Sequence, residues 1–368
     1  MLITVLVFLA ILSVLVLIHE IGHFVAAKKM GIKVEEFGFG LPPRIFGIKR
    51  GETIYSINWL PIGGFVKLYG EDREDEGANS KSQAPNSKLK NRAFYSRPPW
   101  QRAIILVAGV TMNFVLAVVL LSYLFTQGVM VPTDRVHIEK IVAGSPAEKA
   151  GIKEKDVVKE FRIHSPAGEL ELRITKGEEL IKLTKEHLGE EITLTIERDG
   201  KELPVTLTAR KDYPKDQGPL GIVISNFEEK KYPLSEAPIM GLKESLKLSW
   251  ELVKGIGITL WKLISFQSVS KDVAGPLGIA QMTGQAIKFG NLAVLELMGL
   301  LSLNLAIVNI LPFPALDGGR LLFVVIEALT GKKIKAHWER YVHQIGMIIL
   351  LALIVLVTLN DLVRIFGK

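Results

Sequence analysis

Two histidines four residues apart, with a glutamate beside the first, stand near the start of the chain: His19-Glu20-Ile21-Gly22-His23. On a helix, positions i and i+4 share one face, so both imidazoles can ligate one metal ion. Glu20 sits beside them and can take a proton from a water activated by that metal. The sequence contains no cysteine. That excludes disulfides, thiolate metal sites, iron–sulfur clusters and a cysteine nucleophile. Imidazole ligands without thiolates suit zinc, and an open catalytic zinc takes three protein ligands.

The third ligand must come from elsewhere in the chain. His137, His164 and His187 fall in a long segment remote from the motif, His337 precedes the last apolar run and His343 lies within it. Glu35 and Glu36 follow soon after the motif, in a stretch that reads as a strand. Asp317 closes an apolar run and precedes Gly318-Gly319. It reads either as the third ligand or as the N-cap of a helix over residues 320–329. Just before it, Asn309-Ile310-Leu311-Pro312-Phe313-Pro314-Ala315-Leu316-Asp317 places two prolines in an apolar stretch. Proline breaks a helix, and broken backbone inside a bilayer is tolerated where it faces protein or a water-filled cavity.

The elements that carry these residues are apolar and long. Residues Leu2 to Ile18, Ala103 to Val131, Leu297 to Leu316 and Tyr341 to Asn360 are uncharged apart from histidine. A spanning helix needs roughly 20 apolar residues, so four transmembrane helices are expected, over about 2–27, 103–126, 292–316 and 341–360. No Lys or Arg precedes Lys28, so the first run reads as a retained membrane helix rather than a cleaved signal. Composition agrees. Of 368 residues 48% are hydrophobic and 23% charged, and mean hydropathy is +0.30, which rules out intrinsic disorder and disfavours a soluble enzyme. A His/Glu pair at the end of such a span is costly to bury and functional by default.

The net charge of +7 could signal nucleic acid, but its distribution points to topology. Segment 28–102 holds 14 basic residues, and none precedes the first span. By the positive-inside rule that segment is cytoplasmic. Both termini and the segment 134–290 are then extracytoplasmic, the motif lies near the cytoplasmic side, and no nucleic-acid partner is expected. Between the first two spans, Thr53-Ile54-Tyr55-Ser56-Ile57-Asn58-Trp59 alternates and Gly63-Gly64 follows, the pattern of a hairpin near the membrane. Residues 71–97 read as a mobile polar loop. Residues 134–212 read as a small soluble domain, with Asp199-Gly200 marking a β-hairpin. Residues 239–264 carry an apolar stripe at helical spacing with Trp and Lys, which suits a helix lying on a membrane surface.

Taken together these segments resemble the site-2 protease family of intramembrane zinc metalloproteases, in its bacterial regulator-of-sigma-E-protease branch. The resemblance rests on His19–His23, on Tyr55–Lys67, on Ala108-Gly109-Val110-Thr111-Met112-Asn113-Phe114, on Gly275–Ile279 and on Asn309–Gly319. It implies His19, His23 and Asp317 as zinc ligands and Glu20 as general base. It implies a membrane-reentrant β-hairpin at 53–70 that presents substrate as an added strand, with Gly63, Gly64, Phe65, Val66, Asn309, Pro312 and Pro314 holding the substrate. It also implies a PDZ-like domain, since Gly144-Ser145-Pro146-Ala147 and Ala150-Gly151 resemble the start of one. Val110 and Lys155 stand where the family usually has proline and glycine.

The expected fold is therefore a polytopic α-helical membrane protein with four transmembrane helices, a membrane-associated β-hairpin or sheet, and one inserted extracytoplasmic PDZ-like α+β domain. Its parts are an N-terminal membrane core (1–126), the PDZ-like domain (127–212), amphipathic gate or interfacial helices (213–290) and a C-terminal membrane core (291–368). The expected function is zinc-dependent intramembrane cleavage of single-span substrates after a first extracytoplasmic cut, in the inner membrane. Anti-sigma factors and remnant signal peptides are the expected substrates, and the lipid bilayer is the other partner.

Overall fold

The computed structural model describes residues 2–71, 91–165, 168–214, 217–265 and 275–366. The chain divides into two compact units, one formed by the residues up to Leu124 and from Leu234 onward, the other by Phe125–Pro233.

The first unit is helical. Among the described residues, four helices are long and apolar enough to cross a membrane: Leu2–Lys29, Pro99–Gln127, Asn291–Ile310 and the window His337–Val363. We name the first three α1, α2 and α7, and the fourth belongs to α9 (Ala336–Phe366). Between α2 and α7 lie two helices of this unit, α5 (Ala237–Ile264) and α6 (Pro276–Phe289), and α8 (Asp317–Thr330) follows α7. The third span ends at Ile310, short of the expected 316. Pro312 and Pro314 cannot supply the backbone donors that a further turn needs.

The expected hairpin is a larger object. The strands β1 (Val34–Arg50) and β2 (Thr53–Leu68) each fold back on themselves. Val34 pairs with Leu68 and Gly38 with Phe65, while Arg50 pairs with Thr53 and Ile48 with Tyr55; residues 36–39 also lie beside 54–57. The result is a sheet of four short segments in the order 44–50, 53–58, 34–39, 64–68. Gly40 and Gly63, with φ of 78° and 74°, allow the two sharp reversals. The stretch at Glu35-Glu36 reads as a strand, but the glycines and prolines from Gly38 onward hide how far it continues.

The sheet is fastened to α1 at three levels. Ser13 Oγ donates to the Pro61 carbonyl at 2.9 Å, and the Val66 N–H donates to Glu20 at 3.0 Å. The Phe24 ring lies 5.1 Å from Phe37 and 6.1 Å from Tyr55, centroid to centroid. The far end of the sheet exposes Ile45, Phe46, Ile57, Trp59 and Leu60. Part of the segment expected to be loose is tied down as well. Phe94 is buried and its N–H donates to the Tyr69 carbonyl at 2.8 Å, while Arg92 pairs with Glu52. Residues 72–90 of that expected loop lie outside the described residues.

The second unit contains β3 (Val129–Ile141), the one-turn α3 (Pro146–Lys149), β4 (Val157–Ser165), β5 (Gly168–Arg173), α4 (Gly177–Glu186), β6 (Glu191–Arg198), β7 (Lys201–Thr208) and β8 (Ile222–Lys230). Strand order is β7-β6-β4-β3-β8, with β5 beside β4. Val136, Ile138, Phe161, Leu180, Ile192, Leu194 and Ile196 form its core. Asp199 and Gly200 both have positive φ, the two-residue turn that matches the twist of the strands. Lys155 also takes the left-handed conformation, with φ of 73°. The unit runs past residue 212 because β8 pairs with β3 along nearly all of its length.

Candidate metal centre and proteolytic site

His19 and His23 lie one turn apart on α1 and both are buried. Asp317 reaches them from the first residue of α8. Its Oδ2 is 2.9 Å from His19 Nε2 and 3.2 Å from His23 Nε2, and the two Nε2 atoms are 3.0 Å apart. Among the described residues this is the one group of three such side chains that could hold a metal ion. The N-cap position of α8 is Leu316, so Asp317 does not act as the cap.

The donor set fits zinc. His23 Nδ1 donates to the Ile105 carbonyl at 2.8 Å, which fixes the tautomer and leaves a lone pair on Nε2. His19 Nε2 and Asp317 Oδ2 converge on the same point, an arrangement that a cation between the three atoms would satisfy. Three donors at zinc–ligand distance in a tetrahedral site lie about 3.3 Å apart, close to the separations found.

Glycine lets the second helix reach this centre. A Cβ on Gly109 of α2 would fall into the His23 ring and 2.8 Å from His19 Cε1. A Cβ on Gly22 would meet the Ala108 carbonyl and lie 2.9 Å from Gly109 Cα. The two helices therefore touch backbone to backbone at the ligands.

Glu20 lines a cavity of about 220 Å³ at this centre, together with Val16, His19, Asn113, Leu305, Asn309, Ala315, Leu316 and Asp317. Asn309 Nδ2 lies 3.5 Å from His19 Nε2. Of the expected substrate-binding residues, Val66 meets the site directly, through its N–H to Glu20. Gly63 and Gly64 are buried beside Val16 and Leu17 of α1, and Phe65 packs over Gly38. Pro312 and Pro314 lie in the connection from α7 to α8.

Asn113 lies in the Ala108–Phe114 segment of α2, to which the family resemblance assigns no role. It is fully buried in the wall of this cavity, and neither atom of its amide has a protein partner. Its spacing of four from Gly109 puts the two on one face of α2, a signal the sequence does carry. The Ser302 hydroxyl of α7 donates to the Asn113 carbonyl at 2.7 Å, which fixes this turn of α2.

Two histidines and an aspartate that could hold a metal ion thus stand beside a glutamate and a cavity among apolar helices. Residues 7–353 match the family model described as peptidase family M50. The chain belongs to that family, the site-2 proteases. It is 31% identical to the regulator of sigma-W protease RasP of Bacillus subtilis, over 99% of both chains. It is 32% identical to the zinc metalloprotease RasP of Bacillus licheniformis, again over 99% of both. The RasP of Geobacillus kaustophilus is 31% identical over 98% of this chain and 97% of its own. The protein is a membrane zinc metalloprotease.

Proposed function

We propose that this protease cleaves its substrates within the membrane, with His19, His23 and Asp317 holding the zinc and Glu20 as general base. The observation that carries the proposal is the meeting of these four side chains on α1 and α8, beside helices apolar enough to span a bilayer. When bound, zinc supplies a Lewis acid for the scissile carbonyl and lowers the pKa of a water it holds. Glu20 takes the proton of the attacking water and delivers it to the departing amide nitrogen. The Val66 N–H fixes one Glu20 oxygen and leaves the other for that transfer. Asn309, beside His19, is placed to hold the substrate backbone.

The segment 64–68 forms one edge of the four-segment sheet; it follows Gly63 and carries Gly64, Phe65 and Val66, whose N–H meets Glu20. An unwound substrate adds there as a further strand, which turns a helix into a cleavable extended chain. The exposed Trp59, Leu60, Ile45 and Phe46 support a sheet dipped into the bilayer. The exposed Leu242, Leu246, Trp250 and Trp261 of α5, with Lys243, Lys247 and Lys262, support an interfacial helix that gates access.

The second unit acts as a PDZ-like domain. Its edge strand β8 and α4 flank a groove of about 710 Å³ lined by Leu180, Ile181, Leu220, Ile222 and Ile224, where an extended chain end can add. The basic segment 28–102 supports a site near the cytoplasmic face of the inner membrane with both termini outside. The substrates are single-span proteins already cut outside, with anti-sigma factors foremost, as the relative's name regulator of sigma-W protease suggests, and remnant signal peptides next.

The test is Glu20→Gln in detergent or liposomes with a single-span model substrate. Zinc content unchanged and cleavage lost supports the reading. Near-normal turnover sinks it.

A further inference from the structure

Ala315 has φ of 75°, the left-handed conformation that a residue with a Cβ rarely adopts. It stands two residues before Asp317 and lines the cavity of the site. A β-carbon in that conformation is held only where its surroundings over-determine it. The surroundings here come from the last span. The Ala315 N–H donates to Nδ1 of His343 on α9 at 3.0 Å. One turn further along α9, Gly346 lies so close to Pro314 that an added Cβ would overlap it. The His343 ring is fixed in turn by an edge contact with Phe323 of α8, centroids 5.8 Å apart. The α9 helix thus grips the broken segment from two positions on one face.

The connection has little tolerance for movement. Leu316 N–H bonds the Phe313 carbonyl at 3.2 Å, and Gly319 N–H bonds the Leu316 carbonyl at 3.1 Å. A Cβ on Gly318 or Gly319 would overlap the Leu311 or Phe313 carbonyl. A shift of Ala315 is therefore passed to Asp317, while metal ligation tolerates about 0.2 Å. An ionisable residue facing protein inside a span is costly and serves a purpose. For His343 the hydrogen-bond direction shows that purpose: Nδ1 accepts from the backbone and its proton sits on Nε2.

We propose that His343 is a positioning residue for the zinc site: by accepting the Ala315 N–H, it holds the turn that sets Asp317 Oδ2 beside His19 and His23. This rests on the reading of Asp317 as a ligand.

Zinc affinity of the full-length protein, measured by competition with a chromophoric chelator, tests it. His343→Leu keeps the shape and removes the acceptor; zinc binding should weaken 10–100-fold, as for other residues that orient a ligand. His343→Asn puts an oxygen where Nδ1 stood and should stay within about threefold of wild type. Ala315→Gly combined with His343→Leu should regain most of the loss, because glycine takes the left-handed conformation unaided. The cobalt-loaded protein adds a second readout, since its visible spectrum reports the ligand geometry and should change in His343→Leu alone. Should His343→Leu fail to fold, His343→Asn and His343→Gln decide instead: the longer Gln carries its acceptor past Ala315 and should bind zinc more weakly than Asn. Wild-type affinity in His343→Leu overturns the proposal. So does equal weakening in His343→Asn, or no recovery with Ala315→Gly. Asp317→Asn is measured alongside. If it too binds zinc as wild type does, the ligand reading fails rather than the positioning role.

Discussion

Replacing Gly109 by alanine tests the packing that holds the two histidines. A Cβ there would lie 2.7 Å from His23 Cε1 and 2.8 Å from His19 Cε1. Carbon atoms settle about 3.5 Å apart or more, so each ring must retreat by roughly 0.7–0.8 Å. That is several times the ±0.2 Å within which a zinc ligand must sit. Retreat of α2 instead would open the backbone contact of Gly22 with Ala108 and Gly109. Overpacking of this kind costs about 1–3 kcal/mol, which is about 5- to 150-fold in zinc affinity. The assay is chelator competition on purified Gly109→Ala, with thermal unfolding of the metal-free protein as a check on folding. Gly299→Ala is the control, since a Cβ there has its nearest neighbour at 3.6 Å, in ordinary contact. It should bind zinc as wild type does. Wild-type affinity in Gly109→Ala would refute the reasoning, because the rings would then have room that the structure denies them.

Three further outcomes follow from other contacts. Arg102 and Glu327 form a buried ion pair at 2.7 Å between α2 and α8; Arg102→Met alone should destabilise by about 3–5 kcal/mol, and much less when Glu327→Leu accompanies it. A thermal double-mutant cycle with equal losses would argue against that pairing. Glu52 is held down to about 2 from its ordinary 4.5 by the Arg92 guanidinium first and the Lys28 ammonium next. A lowered folded-state pKa gives stability that is present above the unfolded value and lost as pH falls through the folded one. The stability gap between wild type and Glu52→Gln should therefore be largest near neutrality and close between about pH 4.5 and 2. It should stay below about 1 kcal/mol, because the pair is partly exposed. Asn113→Leu removes a buried amide without a protein partner, so it should leave the melting temperature unchanged or raised. Turnover should fall, and a variant with lower stability and full turnover would make Asn113 a purely structural residue.

The parts of the fold that the sequence made legible are those governed by one strong local signal. Uninterrupted apolar runs marked α1, α2, α7 and α9, and Asp199-Gly200 marked the turn between β6 and β7. The i, i+4 spacing of His19 and His23 foretold a shared face. What stayed hidden depends on contacts between distant segments. A strand was legible at Glu35-Glu36, but its continuation to residue 50 is masked by Gly38, Gly40, Pro42, Pro43 and Gly47, and emerges only from pairing with 53–58 and 64–68. β8 was missed because its pairing with β3 bridges about 90 residues of sequence. The choice between ligand and cap for Asp317 could not be made from spacing alone, since it turns on how sharply Pro312 and Pro314 bend the chain. Gly109 and Asn113 stand in a segment that carries the family resemblance but have no role there, and His343 is an ordinary residue in its local sequence. Their importance comes from what α1 and the Ala315 turn bring against them.

The central claim is that three ligands and one free glutamate divide the labour of metal binding and proton transfer. Zinc content and cleavage of a single-span substrate, measured together on purified Glu20→Gln and Asp317→Asn, test it most directly. The account predicts that Glu20→Gln keeps its zinc and loses at least 10²–10⁴-fold in turnover. Asp317→Asn should lose zinc and activity together, and excess zinc should restore part of both. Turnover near wild type in Glu20→Gln, or full zinc occupancy with normal affinity in Asp317→Asn, would contradict it.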